Sequence, residues 1–446
     1  FLDHPNRSKL RGIQFKIKES QRSLLISGIL IALKNEAFKS SYRKHKTAKQ
    51  LSENHISTIA NELANANIQD DKVSNLKSAF SFIKTHTTLS SDKRFLEDLI
   101  AEIDSELNSF MNTHKYIDAL GQFYIEFLKY ANNDKGLGIV LTPPHITELF
   151  ADLAKVNKDS IVLDTTCGTG GFLISSLKRM VDDAKGKSQP EIEKIKSTQL
   201  IGIEFQDDIY ALAITNMIIH GDGKSNIHQG DCFELVDELN IEPKPTVGLL
   251  NPPYKAEKDD RYELEYVLNN LAYLDKNATC IAIVPMSSAI AQSGGLYELK
   301  SRLLKNHTLE AVMSMPEDLF HNSKAGTVTC IMIFTAHIPH MTSGKKTWFG
   351  YWRDDGFVKK KNLGRVDYNN TWAGIKKQWV ESYSNRETTP GYSLMREVTP
   401  KDEWCIEAYL ETDYSTVDEI TFKEYVKHYL TYKILNTPEG EHENSS

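Results

Sequence analysis

The sequence is short of cysteine, of long apolar runs and of positive charge. Its five cysteines lie far apart among 446 residues, with no Cys-x-x-Cys pair. That spacing suggests neither a disulfide framework nor a zinc site, and it fits a reducing cytoplasm. The longest apolar stretch, Leu24 to Leu33, contains Ser27 and Gly28 and is too short to span a bilayer. It reads as a buried helix, so no membrane role is expected. No internal repeat and no signal peptide stand out. The chain opens on Phe1, which reads as a processed start or as a fragment of a longer polypeptide.

The formal net charge is −7, whereas a domain that binds nucleic acid by itself is usually basic. Positive charge is local instead. Lys345, Lys346, Arg353, Lys359, Lys360, Lys361 and Arg365 fall in one stretch with Trp348, Phe349, Tyr351 and Trp352. Such a stretch suits phosphate contact, and a solvated hairpin is the plainer alternative.

The most informative residues are Asn251-Pro252-Pro253-Tyr254, which follow the apolar run Val247 to Leu250. That run reads as a buried strand. Its end therefore falls at a sheet's carboxyl edge, where open α/β sheets bind ligands. The lone pair of an exocyclic amine such as that of adenine is delocalised into the ring, so the amine is a poor nucleophile. Two acceptors taking its two N–H bonds favour a more tetrahedral nitrogen, whose lone pair can face an electrophilic methyl group. The Asn251 side-chain carbonyl and the Pro252 backbone carbonyl are the candidates. Two prolines fix φ and remove two competing donors. Tyr254 can stack on a base taken out of its helix, worth roughly 1–3 kcal/mol against a flipping cost of a few. A strand end with a proline turn is the bland alternative.

Upstream, the apolar strand Ile161 to Asp164 runs into Thr165-Thr166-Cys167-Gly168-Thr169-Gly170-Gly171. A helix should follow, with Phe172, Leu173, Leu177 and Met180 on one face. Glycine permits a tight turn and close ligand approach, and the helix start offers N–H groups to a carboxylate. The strand–turn–helix context lifts this run above a lone Gly-x-Gly. A second strand ending at Glu204 puts an acid where ribose hydroxyls are held, or leaves an ordinary surface glutamate. Phe205 or Gln206 could touch an adenine ring. A helix from Asp207 to His220 with Gly221 as its stop leads to a third turn. Its Asp231 could reach a cofactor's exocyclic amine, although a plain turn is commoner.

With these motifs the chain resembles the amino-methylating S-adenosylmethionine-dependent DNA methyltransferases. It is most similar to the modification subunit of type I restriction-modification systems and to related nuclease–methylase fusions. Gly138 to Ile146, with Leu141, Thr142 and Pro143, looks like that family's motif for the methionine carboxylate. The run Asp164 to Phe172 resembles its glycine loop, with Thr165 and Thr166 in place of Pro-Ala. Met315 to Phe320, before the strand Val328 to Phe334, looks like a late motif that sets Phe320 near the flipped base; a core role for Phe320 is as good. The resemblance implies a doubly wound class I, Rossmann-like α/β methyltransferase domain. It implies S-adenosylmethionine as cofactor, N6 of adenine in duplex DNA as target, and no metal. It is strong over about Gly136 to Phe334 and fainter at Trp404 to Leu410.

The expected organisation is a helical domain over 1–135, the catalytic domain over 136–340 and a small β/helical extension over 341–446. Helices are expected over Phe95 to Met111, Tyr116 to Tyr130 and Asp413 to Leu435. Thr85 to Asp92 reads as a polar break, and Lys178 to Ser197 as a charged helix extension. Thr437 to Ser446 reads as a disordered tail. There is no room for paired target-recognition domains, so a specificity subunit or a missing recognition domain is implied. Ser23 to Phe38 looks similar to the segment joining nuclease and methylase in fused enzymes, which suggests a nuclease module upstream. Methylation of RNA or protein glutamine is the alternative chemistry, and a non-catalytic scaffold the alternative class.

Overall fold

The computed structural model describes residues 17–66, 70–108, 111, 118, 120–121, 140–221, 226–235, 238–321, 326–361, 364–410 and 418–436. Strands β1 (Val162–Asp164), β2 (Leu200–Glu204), β3 (Asn226–Gln229), β4 (Val247–Leu250) and β5 (Thr279–Pro285) pair in parallel. Beyond β5, strands β6 (Thr308–Ser314) and β7 (Thr329–Thr335) reverse the pattern, because β7 inserts antiparallel between β5 and β6. Further along come β8 (Thr347–Tyr351), the separate hairpin β9 (Val358–Lys360) and β10 (Gly364–Val366), and β11 (Ser393–Arg396). The large sheet has the order β11-β8-β6-β7-β5-β4-β1-β2-β3.

The central strands are apolar without interruption, as strands buried on both faces must be; every residue from Cys280 to Val284 is buried. Chain order runs outward from β1 in one direction through β2 and β3, and in the other through β4 and β5. The sheet therefore has a switch point between β1 and β4, where a crevice opens at the strands' carboxyl ends.

The helix Gly171–Asp183 buries Phe172, Leu173, Leu177 and Met180, as its spacing requires. The helix Asp207–Ile219 is apolar all round because it is covered twice. One face meets the sheet and the other meets the helix Glu19–Leu33, where Leu24 to Leu33 is buried. Lys34 Nζ closes that contact on the Ile218 carbonyl at 2.8 Å.

Several local expectations need correction. Lys178 to Ser197 is not one extended helix: the first ends at Asp183, and a new one, Gln189–Thr198, follows with Ser188 as its N-cap. The Ser188 backbone N–H donates to Glu191 Oε2 at 3.0 Å, a capping box legible in Ser-x-x-Glu. The polar break at Thr85 to Asp92 holds a short helix, Thr87–Ser91, anchored by buried Leu89. The helix Lys93–Glu102 passes into a π-helical segment, Ile103–Asn108. The helix Glu419–Asn436 overlaps the helix expected over Asp413 to Leu435 and ends one residue beyond it. Most of Tyr116 to Tyr130, and the tail from Thr437, lie outside the described residues.

The aromatic half of the basic stretch is core. Trp348, Phe349 and Trp352 are fully buried, and Trp352 stacks on Trp379 at 4.8 Å. They are not available to a nucleic acid, which corrects the picture of lysines interleaved with exposed rings. A strand whose tryptophans face inward under a helix carries the same composition as an exposed hairpin.

All five cysteine thiols are free and buried. Among the described residues no helix is long and apolar enough to cross a membrane.

Gly248 in β4 faces Asn270, and a Cβ there would collide with Asn270 Oδ1 and meet Leu274 Cδ1 at 3.0 Å. Asn270 is fully buried and donates to Thr165 Oγ1 at 3.2 Å, so it has no room to yield. Gly248→Ala should lower stability by ~1–3 kcal/mol, read as a lower urea midpoint with an unchanged slope. A midpoint equal to wild type would show that the strand relaxes freely.

Candidate active site at the switch point of the sheet

A cavity of about 430 Å³ occupies the switch point. The turn after β1 forms its floor. Gly168 (φ 54°) and Gly170 (φ 86°) adopt left-handed conformations there, which side chains with a Cβ rarely tolerate. The Cys167 N–H donates to the Ile203 carbonyl at 2.9 Å, tying the turn to β2. Asp164 Oδ1 accepts from the Thr166 N–H at 3.0 Å. Its Oδ2 is buried without a partner. Glu204, at the end of β2, accepts from the Gly168 N–H at 3.0 Å and from the Gln206 N–H at 2.8 Å.

The opposite wall follows β4. Asn251 Nδ2 donates to the Val140 carbonyl at 2.8 Å and to Thr142 Oγ1 at 3.1 Å. A backbone carbonyl can only accept, so it dictates which end of the amide is nitrogen. The Asn251 Oδ1 is left buried with no partner. The Tyr254 hydroxyl is likewise buried and unpartnered. The Tyr254 ring meets Phe320 edge-on, with centroids 6.1 Å apart. Phe320 is buried behind it and does not line the cavity, so it stands as a core residue that backs Tyr254.

The cavity brings together Leu141, Thr142, Asp164, Cys167, Gly168, Thr169, Glu204, Phe205, Asp231 and all four residues of Asn-Pro-Pro-Tyr. Phe205 is 71% exposed at the rim. Asp231 Oδ1 accepts from the Phe233 N–H at 2.9 Å. Pro143 and Gly170 cap the helices that follow them and shape the walls without lining them.

The lysines are not brought together. Lys345 pairs with Glu310 at 2.6 Å, near the start of β6 and so at the amino edge of the sheet. Exposed Lys346 adjoins it. Lys359, Lys360 and Lys361 lie on the β9 side, where Lys359 pairs with Asp318 at 3.3 Å and Lys360 sits over Tyr368.

Motif reading missed Asp118. Its Oδ1 accepts from the Gly121 N–H at 2.7 Å and from Asn216 Nδ2 at 2.6 Å, and its Oδ2 accepts from Thr169 Oγ1 at 2.8 Å. It therefore holds the glycine turn from the N-terminal side. One signal pointed there: Asn216 interrupts an otherwise apolar buried helix, and a buried amide needs partners.

Burial makes the cavity's carboxylates costly to ionise. Burial raises the pKa of Asp118 and of Glu204. Burial, aided by the Glu204 charge, pushes Asp164 up to about 8. The Cys167 thiol is pushed up by burial as well, which leaves it unreactive. Among the described residues no three His, Cys, Asp or Glu side chains gather to hold a metal.

Residues 115–428 match the family described as N-6 DNA methylase. The chain belongs to that family. It is therefore a DNA methyltransferase by descent, on the doubly wound methyltransferase fold. It is 33% identical to the type II restriction enzyme and methyltransferase RM.BcgI of Heyndrickxia coagulans, over 95% of this chain and 68% of that protein. It is 24% identical to the type I restriction enzyme MjaVII methylase subunit of Methanocaldococcus jannaschii, over 62% of this chain. It spans 49% of that subunit's length. A solved type I restriction-modification methyltransferase subunit from Streptococcus thermophilus shares the fold, with a TM-score of 0.60. That likeness has 16% identity over 91% of this chain and 97% of the other.

Asp164 gives this N-6 methylase a pH signature. Its folded pKa of about 8 exceeds the ordinary value of 3.8, so folding favours the neutral acid. The stability it contributes is complete below about pH 4 and is lost as pH rises towards 8. Asp164→Asn keeps the acceptor for the Thr166 N–H and cannot ionise. The variant's stability relative to wild type, without ligand, should rise from pH 5 to pH 8 and then level off. A pH-independent difference in thermal midpoint would contradict the assignment.

Proposed function

We propose that this chain transfers a methyl group from S-adenosylmethionine to the N6 amine of an adenine flipped out of duplex DNA. It would do so as the modification part of a restriction-modification system. The observation that carries this reading is the Asn251 amide, whose two N–H bonds are both engaged while its carbonyl oxygen is buried and open.

The residues present fit the cofactor. A turn with two left-handed glycines admits a ligand close to its backbone. Three carboxylates with raised pKa values, Asp164 buried with an unpartnered oxygen and Asp118 and Glu204 half-buried, suit a cationic ligand. Leu141 and Thr142 would meet the methionine end, and Glu204 the ribose hydroxyls. Phe205 would cover the adenine face and Asp231 would accept from its exocyclic amine. When bound, S-adenosylmethionine supplies a methyl group on a positively charged sulfur.

On the substrate side, Asn251 Oδ1 and the Pro252 carbonyl would accept the two N–H bonds of the target amine. That holds the nitrogen lone pair towards the methyl donor. Tyr254 would stack on the base, offsetting a flipping cost of a few kcal/mol. Pro253 keeps the turn rigid between them. Lys359, Lys360 and Lys361 are the lysines on a side that suits DNA phosphate.

With a net charge of −7, a specificity subunit or a further recognition domain would select the target. A nuclease joined to the chain or partnering it goes with this reading, since the relative RM.BcgI is named as both restriction enzyme and methyltransferase. A cytoplasmic location goes with this reading. RNA or protein glutamine as substrate is disfavoured by membership of a DNA methylase family. A scaffold has no use for an open buried acceptor.

Asn251→Ala should lower methyl transfer to DNA at least on the order of 10²-fold, with cofactor affinity retained. Transfer of labelled methyl, followed by digestion to nucleosides, checks both the rate and the product N6-methyladenine. Near-normal turnover in the variant, or label in cytosine, RNA or protein alone, would refute the reading.

A further inference from the structure

We propose that Arg365 and Asp318 form a clamp that holds the anchor of Asn251 and the wall behind Tyr254 at a fixed separation. The inference rests on the function proposed above and assigns these two as positioning residues.

Arg365 lies in β10, outside the motif-bearing region, and its side chain is 5% exposed. Its Nη1 and Nη2 donate to the two Asp355 oxygens at 2.9 and 2.6 Å. This is the bidentate geometry that makes guanidinium–carboxylate pairs strong and directional. Arg365 Nε faces Asp318 Oδ1 at 2.8 Å as an ion pair, without the alignment of a hydrogen bond. One planar group thus ties two carboxylates from different segments.

Each carboxylate leads to one wall of the cavity. Asp355 Oδ2 is 3.1 Å from His145 Nε2, and the His145 ring stacks on Phe357 at 3.9 Å. His145 stands in the first turn of the helix Pro144–Leu153, three residues after Thr142, which anchors Asn251. Asp318 stands two residues before Phe320, which meets Tyr254 edge-on. Its segment is held a second time where Arg353 Nη1 donates to the Met315 carbonyl at 3.2 Å.

The Arg365 guanidinium is committed to two carboxylates inside the protein, so it does not serve as a phosphate contact. Its geometric effect falls on the flipped base. The base must fit between Asn251 Oδ1 and the Tyr254 ring, and misplacement by about 1 Å can cost on the order of 10²-fold in rate. Cofactor contacts at the glycine turn and Glu204 lie on β1 and β2, away from the clamp, and Thr142 is held from the Asp355–His145 side, which a change at Asp318 leaves in place, so cofactor affinity should be spared.

Asp318 is the residue to change, because its side chain is 37% exposed and its loss leaves the buried Arg365–Asp355 pair whole. The full chain, with the polypeptides that co-purify with it, is assayed with labelled S-adenosylmethionine on unmodified DNA. Asp318→Asn should lower kcat on the order of tenfold, with cofactor Kd and thermal midpoint unchanged. Asp318→Glu should restore most of the rate. A wild-type kcat in Asp318→Asn would overturn the clamp, as would a loss that tracks cofactor affinity and thermal midpoint together. Absence of methyl transfer in the wild type would overturn the functional reading itself.

Discussion

A primary amide has two N–H bonds to give and two lone pairs to receive, and in Asn251 the two sides are treated oppositely. Both N–H bonds end on fixed acceptors, the Val140 carbonyl and the Thr142 hydroxyl. The oxygen is buried and receives nothing. An unmet buried acceptor is unfavourable by roughly 1–3 kcal/mol, so it persists only where the surroundings hold it. The holding comes from β4, whose end delivers the asparagine, and from the segment before the helix Pro144–Leu153. The proline pair then removes rival donors from the same turn.

The cavity's other half follows from the sheet. The switch point between β1 and β4 puts the glycine turn and Asn-Pro-Pro-Tyr side by side, although 80 or so residues separate them. Thr166 Oγ1, 3.4 Å from the Asn251 carbonyl, spans that gap directly. Around the turn lie Asp118, Asp164 and Glu204, all with raised pKa values because burial disfavours their charge. A cationic ligand would reverse that penalty, so the same carboxylates that weaken the empty fold at neutral pH would favour the filled one.

Much of this was legible in the sequence, because the informative residues are local. Strand β4 followed by Asn-Pro-Pro-Tyr, β1 followed by its glycine turn, and β2 ending in Glu204 each needed only neighbouring residues to be recognised. What escaped was long-range. Asp118 reaches Thr169 and Asn216 across 51 and 98 positions, and the one signal of it, the buried Asn216, lies at the far end of that reach. Trp348 and Trp352 read as part of a basic surface because composition cannot tell which face of a strand a helix covers; Trp379, on the helix Trp372–Asn385, supplies that cover. Arg365 looked like a cation for phosphate until Asp355 and Asp318 converged on it. The helix start at Ser188 is marked only by a local Ser-x-x-Glu capping pair, which the composition of the charged stretch around it does not show.

The central claim is that the Asn251 oxygen is aimed, with its amide locked, at the amine that is methylated. The most direct measurement is a structure of the chain with its recognition partner, cognate DNA and a non-reactive cofactor analogue. The account predicts an adenine outside the duplex, its N6 within hydrogen-bond distance of Asn251 Oδ1 and the Pro252 carbonyl. Asn251 Nδ2 should still rest on the Val140 carbonyl. A target amine bound elsewhere, or an Asn251 amide swung away from Val140 to meet it, would contradict the account.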